Sequence, residues 1–390
     1  MFNAGQSWQN RQRTRVEGYS MDSINFNTEE TVEVPPPLNG PVVDFRKVKI
    51  HPDHWYPVAW SRELKAGKTL AVRFAGDPIV LVRPKTGAPS CAVFALENRC
   101  AHRQVPLDAG VVTGCAIRCH YHGWTYNSAG ACTDVPYLGK GKLPNGVRAY
   151  PCREQAGLIF IFPGDPALAS EDNFPSLGGA ADPAYKTRRF GRRVNCHYSF
   201  MHENLMDMNH QFMHRKIMGQ VRPRYLGRRM GEDWLEVQYT FARTAGKQPL
   251  GETAIFGGKR GPEYNDRDVM TIRTDYPYQR LSILSAAGGE PIFKLWICYT
   301  PQDAEQKTIR TFGFISIHRP KNPLGRAALH AAWPILVMFT ERIFKEDRFI
   351  VEAEQAAHDL QDGNWNQEVF PVIRELGGLL ARNGIPPKAV

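Results

Sequence analysis

Nothing in this chain reads as a membrane span or an export signal. The most apolar run, AALHAAWPILVMF from Ala327 to Phe339, is interrupted by His330 and Pro334 and is too short for a bilayer, which takes about 20 apolar residues. The first thirty residues are polar and lack the apolar core of a signal peptide. Cysteine is sparse, eight residues in 390, so a disulfide-stapled secreted scaffold is excluded. A reduced, cytoplasmic compartment is expected, with metal or catalytic use of the thiols ahead of disulfides. No internal repeat is present. No G-x-G-x-x-G follows a βα unit, the nearest stretch being GKGKLPNG from Gly139, and no C-x4-C-x2-C of the plant ferredoxin type occurs. The chain therefore carries neither a dinucleotide site nor a ferredoxin of its own. Its basic clusters, Arg188-Arg189 with Arg192-Arg193 and Arg222 to Arg229, are scattered and read as solvated faces, so neither a nucleic-acid nor a membrane partner is expected.

What is present describes a folded, two-domain protein. Apolar residues make up 42% and charged residues 23% of the chain, with a formal charge of +10, which suits an acidic protein partner or an anionic substrate. Residues 1–45 are polar, end in VEVPPPLNGPVVD and read as an extended arm. Residues 46–165 hold short β-rich runs (LAVRF, PIVLVR, CAVFALEN, AIRCHYHGWTY, GLIFIF) separated by Gly, Pro, Asn and Asp, a small all-β domain. Residues 166–184 are a linker by composition. Residues 185–390 combine a helix around 201–215 with strand-like DWLEVQYTFA, DVMTIRTDY, ILSAAG, FKLWICYT and IRTFGFISIH. A long helix from about Leu324 to Leu360 follows, giving an α+β domain.

The β domain contains Cys100-x-His102 and Cys119-x-x-His122, with sixteen residues between. Each pair offers one thiolate and one imidazole. A structural zinc takes Cys2His2, but zinc modules place like ligands in one knuckle and fold a small unit around them. Pairs set in loops of a larger β domain suit a [2Fe–2S] cluster in which two cysteines hold one iron and two histidines the other. Neutral imidazoles remove negative charge from such a cluster, raise its potential and leave an N–H edge for electron exit. The remaining cysteines nearby, Cys91, Cys115 and Cys132, are expected as buried free thiols.

The second domain opens with HENLMDMNHQFMH. Spacings of 3, 3 and 4 put Asn204, Asp207, His210 and His214 on one face of a helix. A polar helix surface is the plain alternative. Against it, Leu205, Met206, Met208, Phe212 and Met213 make the rest of the helix apolar, so the polar stripe faces inward and needs a partner. Histidines at i and i+4 favour a metal. Two imidazoles with one distant carboxylate make a 2-His-1-carboxylate site for mononuclear non-haem Fe(II), with positions left open. FKEDRFIVEAEQ offers Glu346, Asp347 and Glu352 for the third ligand.

RCAHRQVPL and CHYHGWTYN, with Gly123 and Trp124 after the last ligand, closely resemble the Rieske motif. Both motifs in this order resemble the oxygenase (α) subunit of the Rieske non-haem iron aromatic-ring-hydroxylating oxygenases, α-only branch, over nearly all of the chain except the arm. The resemblance implies a Rieske β domain followed by a helix-grip-like catalytic domain with an antiparallel sheet. It assigns Cys100, His102, Cys119 and His122 to the [2Fe–2S] Rieske cluster, leaves His120 outside, and assigns His210, His214 and, among the carboxylates, Asp347 to Fe(II). It gives Asp207 and Asn204 supporting catalytic roles. The family's matching aspartate joins a Rieske histidine of one subunit to an iron histidine of the next, so His122 would meet the neighbour's Asp207 and His210 in a head-to-tail homotrimer. The implied reaction uses O2, and electrons from a separate NAD(P)H reductase with or without a ferredoxin, to hydroxylate, demethylate or dihydroxylate an aromatic or other apolar small molecule. The pocket would draw on the sheet between about residues 220 and 315 and on the helix near Met206 and Phe212. Phe256, Trp296, Ile297 and Phe314 are candidates for it that read more readily as core. Two departures from the family stand out. The iron histidines are separated by three residues, as in carbazole-type dioxygenases, where many members have four. NCH at Asn195–His197 replaces the usual NWK. Val105 and Tyr121 stand where respiratory Rieske proteins have their disulfide cysteines, which points to the lower-potential oxygenase cluster. The alternative is a non-catalytic Rieske electron-transfer protein, with one cluster and no mononuclear iron; a zinc-stabilised binding module is a more distant one.

Overall fold

The computed structural model describes residues 44–85, 92–138, 143–256, 263–264, 268–284, 289–361 and 364–387, the side chains of residues 254 and 256 excepted. Nearly all of the 1–45 arm, Cys91 and the start of GKGKLPNG lie outside these residues.

Short strands punctuated by tight turns build the N-terminal half. Phe74 pairs with Asp77, leaving Ala75 and Gly76 as a two-residue loop with φ of 48° and 94°. Positive φ at both loop positions matches the right-handed twist of the flanking strands. The described strands form three small antiparallel sheets. One joins Tyr56–Trp60, Leu158–Ile161 and Cys152–Gln155. A second joins Lys68–Phe74, Asp77–Arg83, Phe94–Glu97 and Ala149–Tyr150. A third joins Val111–Thr113, Ala116–Arg118, Thr125–Asn127 and Cys132–Asp134.

The C-terminal half is built on one large antiparallel sheet. Its order is Tyr185–Phe190, Ile309–His318, Phe293–Pro301, Tyr278–Ile283, Met270–Asp275, Trp234–Ala245, Gln220–Met230, with Arg193–Val194 also paired to Ile309–His318. Five α-helices accompany it among the described residues: α1 (Tyr198–Met206), α2 (Arg215–Met218), α3 (Leu250–Phe256), α4 (Pro323–Gln361) and α5 (Pro371–Asn383). The architecture is thus α+β, a β domain leading into an antiparallel sheet with helices, and α4 runs one residue beyond the expected stretch at each end. Among the described residues no helix is long and apolar enough to cross a membrane.

Two local expectations are corrected and one element is added. ILSAAG contributes only Ile283 to a strand, which instead covers YQRLSI from Tyr278. Buried Gln279 disguises that strand: it donates to the His202 carbonyl at 2.9 Å and accepts from the Tyr299 hydroxyl at 2.7 Å, so a polar residue occupies an inward position. The helix expected around 201–215 is broken. At Asp207 the backbone turns extended (φ −88°, ψ 101°), a 3-10 turn covers Met208–Phe212, and α2 resumes at Arg215. The physical cause is capping, because the Asp207 carboxylate accepts the Asn209 N–H at 2.8 Å and so competes with continued helix. Helix α5 went unnamed in the sequence. Its buried Val372, Ile373, Leu376, Leu379 and Leu380 form a helical stripe between Pro371 at the start and Gly384 at the end.

The two halves share one hydrophobic core. Trp60 packs on Phe312 and Phe314 with ring centroids 5.7 and 5.9 Å apart, and Phe160 lies 6.4 Å from Trp296. A second, smaller core gathers Val80, Phe94, Leu96, Leu107 and Ile117 around Cys100, Cys119 and Tyr126.

The segment entering this body is tied to α1. Arg46 is 6% exposed, ion-pairs with Glu203, donates to the Ser199 hydroxyl at 2.8 Å and lies 3.6 Å over the Phe200 ring. His197, the departure in NCH, caps α1 and bonds the Val48 carbonyl at 3.0 Å; burial holds its pKa down at about 3, so it is neutral and structural. Arg46→Met leaves Glu203 without its buried partner and is expected to cost about 3–5 kcal/mol in urea unfolding. Pairing it with Glu203→Gln should recover much of that loss.

Candidate metal centres and the apolar cleft

The Cys/His pairs occupy two loops of matching construction. In the first, the Gln104 N–H returns to the Cys100 carbonyl at 2.9 Å; in the second, the Gly123 N–H returns to the Cys119 carbonyl at 3.1 Å. Each loop closes on a residue of positive φ, Gln104 at 61° and Gly123 at 75°, a conformation glycine adopts without strain. A Cβ on Gly123 would also lie 2.9 Å from Pro136. The loops bring the rings of His102 and His122 to 4.5 Å between centroids, with His102 stacked on Trp124 at 4.7 Å. Cys100 and Cys119 are buried free thiols. The residues fit a two-cysteine, two-histidine cluster, since the His102 Nδ1 is buried and has no hydrogen-bond partner, as a nitrogen facing a metal should be. His120 is exposed, in keeping with a place outside the ligand set.

Motif spacing gives no hint of Tyr126, although its inward position on Thr125–Asn127 was available from strand alternation. The hydroxyl accepts the Ala101 N–H at 3.0 Å and lies 3.3 Å from the Cys100 Sγ. Burial, then the bond to Cys100, pushes the phenol well above its ordinary pKa, so it stays a protonated donor to the sulfur. Cys115 is disulfide-bonded, correcting its expected state as a buried free thiol. It sits half-buried in the turn between Val111–Thr113 and Ala116–Arg118, not inside the cluster's core. Cys132 is free and buried as expected.

The second centre forms where the helix breaks. His210 rides on the 3-10 turn, His214 caps α2, and Asp347 is a buried residue midway along α4. Ligand atoms of these three all lie within 4.8 Å of one another, the one such group of three found among the described residues. Asp347 Oδ1 is 3.1 Å from His214 Nε2 and 3.7 Å from His210 Nε2. Both imidazoles are held from behind. The His210 Nδ1–H donates to the Asp207 carbonyl, and the His214 Nδ1–H donates to the Glu346 carboxylate at 2.8 Å. This leaves each Nε2 lone pair aimed at a common point, which fits a 2-His-1-carboxylate iron site. Burial alone would lower the His214 pKa; Asp347 and then Glu346 outweigh it and hold it above the ordinary value. Glu346, considered in the sequence as a rival ligand, orients a ligand instead. Within the chain, Asp207 holds His210 through its main-chain oxygen while its carboxylate caps the turn.

An apolar cleft with about 1070 Å³ of empty space, its mouth included, has these ligands in its wall. Asn204 lies beside them, and Leu205, Met208, Phe241, Phe293 and Leu295 contribute to the rest. The expected contributors on the helix shift by register. Met206, before the break, is fully buried in the core, and Phe212, in the turn that follows the break at Asp207, is 71% exposed. Trp296, Ile297 and Phe314 are core; Trp296 and Phe314 point at the N-terminal sheet while their neighbours Leu295 and Ile315 face the cleft. The Phe256 side chain lies outside the described residues.

A Rieske-type cluster site joined to a two-histidine, one-carboxylate site on an antiparallel α+β body defines an iron-dependent oxygenase. Residues 54–151 match the family model of the Rieske [2Fe-2S] domain, and residues 194–372 match that of the vanillate O-demethylase oxygenase C-terminal domain. A 4β-methylsterol monooxygenase of Methylococcus capsulatus is 34% identical over 345 residues, covering 84% of this chain and 87% of that protein. The oxygenase component of dicamba O-demethylase from Stenotrophomonas maltophilia is 38% identical over 164 residues, 41% of this chain and 47% of that protein. The crystal structure of dicamba monooxygenase bound to 3,6-dichlorosalicylic acid shares the fold, with a TM-score of 0.65 at 24% identity over 87% of this chain and 98% of the other. NdmA of Pseudomonas putida CBB5 with caffeine gives a TM-score of 0.61 at 21% identity over 84% of this chain and 88% of the other. The chain belongs to the Rieske non-haem iron oxygenases, as an oxygenase α subunit.

The hydrogen bonds behind the ligands carry two testable outcomes. Tyr126→Phe removes a donor to a cluster sulfur; a net loss of about 1 kcal/mol from the reduced form lowers the midpoint potential by roughly 40 mV, read by redox titration of the EPR signal. Glu346→Ala releases His214, and Co(II) affinity followed by visible absorption should fall about 10- to 100-fold while the cluster's spectrum is unchanged.

Proposed function

We propose that this protein is the terminal oxygenase of a multicomponent system and hydroxylates a methyl-bearing, polycyclic apolar substrate of the sterol kind. The observation that carries this reading is the placing of His210, His214 and Asp347 in the wall of an otherwise apolar cleft. The methylsterol monooxygenase likeness, which runs along most of both chains, favours monooxygenation of a methyl group over ring dihydroxylation. His210, His214 and Asp347 would hold an iron ion, which would supply O2 activation. The chain's own part is to hold both Nε2 atoms toward one point, to keep protein ligands off the remaining face, and to exclude water with aliphatic and aromatic walls.

Electrons come from a separate NAD(P)H-dependent reductase, with or without a ferredoxin, in the cytoplasm. His122 is exposed at the end of its loop, which suits contact with a donor or a neighbouring subunit. We infer a head-to-tail homotrimer in which His122 of one subunit meets Asp207 of the next. Asn204, beside the ligands, orients the groups around them.

Iron and labile sulfide analysis tests the two-centre reading. Wild-type protein purified anaerobically should hold about three irons and about two sulfides per chain, with a Rieske EPR signal. Asp347→Ala should keep the signal and both sulfides, lose one iron and lose turnover. A wild-type value of about two irons that persists after Fe(II) addition would leave only an electron carrier. Asp207→Asn, which keeps an oxygen to cap the Asn209 N–H, should retain all the metal but slow electron transfer between centres in single-turnover mixing; unchanged transfer removes the Asp207 carboxylate from the route.

A further inference from the structure

Where α3 meets α4 beside the cleft, the contact is made by a glycine whose conformational freedom is not used. Gly251 is the second residue of α3, and its φ is not positive. Its lack of bulk is what counts. A Cβ there would lie 2.6, 2.7 and 2.9 Å from Cγ, Cβ and Cδ1 of Phe339 on α4, closer than Cβ contacts come. Phe339 lines the cleft, as do Glu252 and Ile255 of α3. It stands two helical turns before Asp347 on α4, about 12 Å along the axis at 1.5 Å per residue. The contact therefore bounds the cleft well away from the iron ligands.

Neither helix is free to yield. Thr340 and Glu341, the next residues of α4, are tied to the edge of the large sheet: Arg188 donates to the Thr340 hydroxyl and pairs with Glu341, which Arg192 also engages. On α3, Glu252 follows Gly251 directly. It is 3% exposed and ion-pairs with Arg243, whose Nη1 donates to the Met218 carbonyl at 2.6 Å. A buried ion pair resists separation, because parting it leaves each charge unmet. With both backbones tied, the Phe339 ring is the part that moves, and its open side is the cleft.

We propose that Gly251 is a specificity-determining residue, which sets the width of the cleft by letting Phe339 stand back against the α3 backbone. The room so left admits a rigid fused-ring system. A methyl group at 251 would tip the ring into the cleft, which excludes rigid ring bulk but spares a flexible chain that can bend past it. The inference rests on the sterol-like reading above and adds to it the residue that selects for ring bulk.

Equilibrium dialysis of full-length, metal-loaded protein against lanosterol and squalene decides the matter, both delivered from cyclodextrin. The two probes have equal carbon number, one fused and one open-chain. Gly251→Ala should weaken lanosterol binding about tenfold, the effect of one misfitting methylene in a pocket, and leave squalene within about twofold. Adding Phe339→Val to that variant should restore lanosterol binding, since the displaced ring is gone. Alanine is a better helix former than glycine, so α3 should persist, with iron content and the Rieske EPR signal unchanged. Phe339→Trp narrows the same place without touching α3 and should show the same selective loss; it carries the test if Gly251→Ala fails to hold its metals. Equal loss of both probes, or loss of neither, overturns the proposal, while lanosterol binding by the wild type leaves the sterol-like reading standing. A wild type that does not bind lanosterol overturns both.

Discussion

The bonds between His214 and the carboxylates of Glu346 and Asp347 join chain positions more than 130 residues apart. Two adjacent residues of α4 divide the work: one fixes the tautomer of the imidazole, the other shares the point at which its free nitrogen is aimed. For this to happen, α4 must cross the body at one height, and the segment after α1 must stop being helical where it does. The capping carboxylate of Asp207 meets the second condition. A continuous helix through Asp207 would carry His210 and His214 along its axis with their rings in register. The break instead sets the rings nearly perpendicular, at 86° with centroids 5.3 Å apart, both facing α4.

The same dependence runs outward from that point. Helix α1 is held at its start by His197 and along its side by Arg46, so the segment before the β domain and the metal-bearing turn are anchored to one helix. Packing of Trp60 and Phe160 on Trp296, Phe312 and Phe314 commits one face of the large sheet to the β domain. The period-two alternation of strands then leaves Phe293, Leu295 and Ile315 for the opposite face, where the cleft forms. An apolar cleft beside iron ligands results from the way the sheet's two faces are divided.

The cluster end is built on a different plan. Its ligands sit on loops instead of regular elements, and rigidity comes from positive-φ closures at Gln104 and Gly123, the His102–Trp124 stack and a small dedicated core. His122 is left exposed while His102 is half-buried and stacked on Trp124, so the two imidazoles are packed differently.

The Cys/His pairs, the histidines at 210 and 214, the long helix and four of the eight strands of the large sheet were legible in the sequence, because each is a local pattern: ligand spacing, helical period or alternation. Asp347 was reached only through resemblance to a family, since spacing alone leaves Glu346 and Glu352 equally eligible. The break at Asp207 was not legible, because a capping aspartate and a helix-face aspartate look alike until the backbone chooses. Nor were the strand holding buried Gln279, the Tyr126 hydroxyl against Cys100, the service of Glu346 to His214, or the buried Arg243–Glu252 pair. Each of these depends on two side chains meeting across the fold. Local pattern was enough to set which chemistries the chain can hold and on which elements they ride. Which carboxylate faces the metal and which supports a ligand was left to tertiary packing, because that choice depends on the height and rotation of α4 against a turn more than a hundred residues earlier.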